Sequence, residues 1–137
     1  MSSGAHDAMQ ASQTVCTNMM TDVKKMFDVA ESDSQAGMPA ADRAFSDDAK
    51  RCSYDRFVNA GNGFANYARA ISLHRTGDGW QPPLTLAITQ LTKCSADFPS
   101  SKTGANCDKA LAGANKHLTE WSAAASASPS PASTAKP

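Results

Sequence analysis

Along the first thirty positions apolar residues recur in steps of three and four: Met9, Val15 and Cys16, Met19, Val23, Met26 and Phe27, Ala30. That spacing places them on one face of an amphipathic helix. Gly37 and Pro39 end the run, a stop followed by a helix-starting proline. A second run extends from Pro39 to Leu73 through Ala41, Phe45, Ala49 and Cys52, then Phe57, Gly61, Phe64, Ala68 and Ile71. Its phase slips between Cys52 and Phe57, and Gly61 and Gly63 follow closely. Each glycine costs about 1 kcal/mol relative to alanine inside a helix. A kink there, or a close crossing over small residues, is the expected consequence. Residues 76–83, Thr-Gly-Asp-Gly-Trp-Gln-Pro-Pro, form a connection. A third helix carries Leu84, Ala87, Ile88, Leu91, Cys94 and Phe98. A fourth, from Thr103 to about Ala125, carries Cys107, Ala110, Leu111, Ala114, Leu118 and Trp121. No segment alternates with period two, so the expected fold is all-α, an up-down-up-down four-helix bundle.

The four cysteines sharpen that picture. Cys94 and Cys107 lie equally far from the turn near Ser100, so an antiparallel hairpin brings them level. Cys16 and Cys52 flank the turn at residues 34–39 to within about one helical turn. The predicted pairs are therefore Cys16–Cys52 and Cys94–Cys107. None lies in a C-x-x-C pair or at zinc-finger distance from a histidine. Paired cysteines in a small chain point to an oxidising compartment: secreted, periplasmic or cell surface. No hydrophobic signal segment is present. Residues 1–5 read as a small polar linker, of the kind that follows a cleaved signal or a lipid-bearing cysteine upstream. Residues 6–126 form the expected bundle, and residues 127–137, rich in Ser, Ala and Pro, a flexible tail.

Composition narrows the function. Thirteen basic and thirteen acidic residues leave net charge at zero, and the densest cationic spots are Lys24-Lys25 and Lys50-Arg51, which disfavours nucleic-acid binding. No apolar run approaches the roughly 18 residues that span a bilayer. No nucleophile elbow, phosphate loop or H-E-x-x-H is present. The His-Asp pair that bacterial phospholipases A2 place beside a cysteine is missing as well: Tyr54 stands before Asp55 where that histidine would be. Asp47-Asp48, and Asp22 with Lys24 and Lys25, read as solvated faces.

The leading expectation is an exported binding module without catalysis, recognising a protein or cell-envelope partner. Trp80 on its connecting loop, Trp121, and Asn59, Asn62 and Tyr67 from the Asn- and Gly-rich stretch are its candidate contacts. The competing structural readings are Trp80 as a cap on the open end of the bundle and the Asn/Gly stretch as a tight crossing. The alternative expectation is a metal or haem site for copper, nickel or haem iron. In an up-down-up-down bundle His6, His74 and His117 share one end with Met9. Met9 early in the first helix and His117 late in the last resemble the way cytochromes of the b562 type hold haem, a resemblance limited to those two residues. A third reading is a small-molecule carrier, with a Met- and aromatic-lined cavity between the first and last helices.

Overall fold

A computed structural model describes the backbone of residues 3–77 and 79–127 and the side chains of residues 13–77 and 79–125. The described chain is all helical, with α1 Ser3–Ala30, α2 Met38–Arg51, α3 Asp55–Thr76, α4 Gln81–Asp97 and α5 Lys102–Ala127. Of the expected tail at residues 127–137, Ala127 is the last residue of α5 and residues 128–137 lie outside the described residues; α1 takes in residues 3–5 of the expected linker.

Five helices replace the expected four because the second predicted helix is two. The break falls at residues 52–54, where Cys52 (ψ 123°) and Tyr54 (ψ 99°) are extended. Gly61 and Gly63 lie inside the unbroken α3. The phase slip between Cys52 and Phe57 marked the right place, and the glycines mark a crossing.

This break reverses the direction of everything after it. The bond between Cys16 and Cys52 pins the end of α2 to α1, with the Cα atoms 4.9 Å apart. From there α3 runs beside α1 in the same direction. Gly61 lies against Met19, the Phe27 and Tyr67 rings meet edge to face at 5.5 Å, and Arg75 Nη2 donates to the Glu31 carbonyl at 2.9 Å. Gly77, left-handed at φ 86°, caps α3 with its N–H on the His74 carbonyl. Pro82 sits in the first turn of α4, where a missing N–H costs nothing. Ser101 opens α5: its hydroxyl oxygen accepts from the Gly104 N–H at 3.0 Å while its O–H donates to the Phe98 carbonyl. The bond between Cys94 and Cys107 then staples α4 to α5 as predicted.

The result is two disulfide-stapled hairpins, α1–α2 and α4–α5, packed on opposite sides of a central α3. A helix that touches four others must be thin. Accordingly α3 buries Ala60, Gly61, Gly63, Ala65, Ala68 and Ala70. An added Cβ at Gly61 would lie 2.8 Å from Met19 Cε, and one at Gly63 3.1 Å from Leu91. Met19, Met26, Phe45, Leu84 and Leu91, all fully buried, fill the core around it. Polar groups on α3 are paired across these crossings. Asn59 donates to the Gln90 carbonyl (3.1 Å) and Asn66 to Gln90 Oε1 (2.8 Å). Arg69 donates to Asn66 and grips Asp42 with two nitrogens at 2.9 and 2.7 Å, so one ladder ties α2, α3 and α4. Two closed disulfides belong to an oxidising, extracytoplasmic setting. No helix among the described residues is long and apolar enough to cross a membrane.

Candidate functional site

Because α1 and α5 each pack on α3, and make no backbone contact with one another among the described residues, a groove opens between them. Its volume is about 400 Å³. Met20, Val23 and Phe27 form the α1 wall, Asn106 and Ala110 the α5 wall, and Phe64 and Tyr67 of α3 the floor. The floor is firm: Phe64 and Tyr67 are each less than a tenth exposed, as is Val23 in the α1 wall. Lys24 from α1 and Lys109 from α5 complete the lining. No carboxylate lines the groove, and among the described residues neither lysine holds an ion pair. The α5 wall is low at Ala110. A Cβ at Gly113 would come within 2.8 Å of the Tyr67 hydroxyl, so α5 approaches α3 over that glycine. Burial, followed by the charge of Glu31, pushes the Tyr67 phenol up to about 12. It is a neutral hydroxyl at any physiological pH.

Rings continue from the groove floor to the end of the bundle. Tyr67 meets His117 at 5.9 Å, His117 stacks on Trp121 at 4.4 Å, and Trp121 stacks on His74 at 3.9 Å, the two planes nearly parallel at 8°. Trp80 stands edge-on to Trp121 at 5.2 Å and is 8% exposed. Burial lowers the His74 pKa, and the neighbouring His117 adds to the effect. His117 Nδ1 is buried without a hydrogen bond, 3.8 Å from Glu120 Oε1.

The structure therefore gathers Trp80, Trp121, His74 and His117 at one end and places Tyr67 in the groove. Asn59 is spent on the α3–α4 crossing, and Asn62 is half-buried on α3 apart from the other candidates. His6 and Met9 lie where the side chains are outside the described residues, and the helix places their backbone elsewhere. Twenty-four residues of continuous helix separate His6 from Ala30, about 36 Å. His74 lies near the Ala30 end, since α3 runs parallel to α1. The expected convergence depended on the second helix returning unbroken, and the break at residues 52–54 sends His74 the other way. His74 and His117 each lie against Trp121 and make no ring contact with each other. Among the described residues no group of three His, Cys, Asp or Glu side chains converges as a metal site.

One pair reads differently from its sequence. Asp22 and Asp48 meet between α1 and α2, Asp48 also binding Arg51 at 2.9 Å. Burial pushes the Asp22 carboxyl up to about 6, with the hydrogen bond to Asp48 and that neighbour's charge adding to it. The same shared hydrogen bond, then Arg51, lowers Asp48.

What sequence reasoning missed is the pair of lysines: Lys24 read as part of a solvated face, and nothing in the sequence singled out Lys109. The Met and aromatic wall between the first and last helices had a signal: α1 carries Met20 and Phe27 beside the stripe that faces the core. No family model, no curated protein and no solved structure matches this chain.

Proposed function

We propose that this protein is an exported binding module, periplasmic, secreted or on the cell surface, that recognises a cell-envelope component or partner through the α1/α5 groove. The observation that carries the reading is the groove itself. Each hairpin is stapled internally and neither disulfide crosses the gap, so α1 and α5 stand apart on either side of Phe64 and Tyr67. The separated walls leave Met20, Phe27 and Ala110 only partly covered, apolar surface that an occupant would take from water. Preorganised walls lower the ordering cost of binding. About 400 Å³ falls within the range of small-ligand sites. Trp80 and Trp121 support this by closing the bundle end beyond the groove rather than by contacting the partner.

The test uses N-phenyl-1-naphthylamine, an uncharged apolar dye whose emission rises on leaving water. The folded, oxidised protein should bind one equivalent saturably. Ala110→Trp, which fills the groove from its low wall, should abolish the signal while leaving the circular dichroism spectrum and both disulfides unchanged. Absence of saturable binding to the wild type would sink the reading.

A further inference from the structure

We propose that the groove binds a single-chain amphiphile with an anionic head, a free fatty acid in monomeric form, its chain over Phe64 and Tyr67 and its carboxylate between Lys24 and Lys109. This rests on the groove being the recognition surface and goes further by naming what it takes. Three observations select the ligand. The first is charge: two lysines from different helices line the groove, no carboxylate does, and neither lysine is neutralised by an ion pair among the described residues. Lysine suits this position, since its stem packs on apolar surface while the ammonium reaches water and a head group.

The second is size. From Met20 to Phe27 the α1 wall is about 10 Å long, at 1.5 Å per residue. An extended hydrocarbon can lie along a wall of that length, and about 400 Å³ is within the range of small-ligand sites. The third is the lining: Met20, Val23, Phe27, Phe64 and Ala110 offer no hydrogen bond along the floor or walls, and only Asn106 and the Tyr67 hydroxyl bring neutral polar atoms. An extended hydrocarbon needs none, whereas a peptide backbone would be left with unpaired groups. The His74–Trp121–His117 stack holds no equivalent opening, its rings already packed face to face.

The experiment is isothermal titration calorimetry of the oxidised full chain at pH 7.5 with dodecanoate below its micelle concentration. Dodecyltrimethylammonium, the same chain with a cationic head, is the control. The expected result is one dodecanoate per chain, binding at least tenfold tighter than the cation. Lys24→Gln/Lys109→Gln should weaken dodecanoate about tenfold, the sum of two solvent-flanked ion pairs, and remove the preference between heads. Both lysines lie at the surface, so this double variant should unfold with the wild-type midpoint. Equal affinity for both heads, or an unchanged affinity in the double variant, would overturn the proposal. So would co-sedimentation with phosphatidylglycerol vesicles without uptake of monomeric dodecanoate. Saturable dye binding without dodecanoate binding would overturn the fatty-acid ligand and leave the groove standing; loss of both would remove both.

Discussion

Gly61 and Asn62 are neighbours in the most unusual stretch of the chain, yet their environments are opposite. Gly61 lies under Met19 and Phe45, both fully buried, while Asn62 is half exposed on the outer side of the same helix. The expected outcome of Gly61→Leu is a loss of about 3 kcal/mol in urea unfolding, because the added side chain must displace a core methionine and a phenylalanine. Asn62→Ala should change stability by less than about 0.5 kcal/mol. Comparable losses at both sites would mean that α3 is not the central helix. Composition alone made the two residues look alike. Periodicity placed Gly61 on the apolar stripe with Phe57, Phe64 and Ala68, and that stripe proved the better guide.

At the scale of the elements, each hairpin is closed by its own disulfide, and the two loops differ in length. The 36-residue separation of Cys16 and Cys52 and the 13-residue separation of Cys94 and Cys107 correspond to about 4 and about 3 kcal/mol in the loop-entropy picture. Replacing each pair by alanine should therefore destabilise the protein in that order. Guanidinium unfolding of the two double variants, each with its other bridge confirmed by peptide mapping, measures it; the reverse order would show that strain or packing outweighs chain entropy. Both pairings were legible because a helical hairpin converts sequence distance from a turn into height. The break between α2 and α3 was half legible. The phase slip announced it, but Ser53 and Tyr54 carry no proline or glycine signal, and the extended backbone at Cys52 is imposed by a partner 36 residues away. Local propensity cannot see such a constraint, and it decides which end of the bundle receives His74. The groove was legible on its α1 wall, where Met20 and Phe27 widen the apolar face. Its lysines were not, because a charge at a groove rim has the same sequence pattern as any solvated charge.

The molecule as a whole responds to pH through groups far from the groove. Asp22, with its folded pKa raised to about 6 against an ordinary 3.8, holds its proton in the native state more tightly than in the unfolded chain. That contribution to stability is complete below pH 3.8 and is lost as pH rises through 6. Asp48 has the opposite sign. Its lowered pKa stabilises the fold above pH 3.8, and that stabilisation is lost as pH falls through the depressed value. His74 also stabilises from the alkaline side: with its pKa lowered from 6.5, its contribution is present above 6.5 and lost as pH falls through the folded value. Raising the pH from 4 to 7.5 therefore removes the Asp22 contribution while restoring that of His74. Asp22→Asn isolates the first term. The amide keeps a donor to Asp48 at every pH and carries no charge, so it imitates the protonated carboxyl. The variant should melt several degrees above the wild type at pH 7.5 and within about one degree of it at pH 4. Calorimetric melting at half-unit intervals between these limits should show the difference opening between pH 3.8 and about 6, with a midpoint at about pH 5. A difference that is constant across the range would mean that Asp22 and Asp48 share no proton, and that the junction of α1 and α2 is held by the disulfide and apolar packing alone.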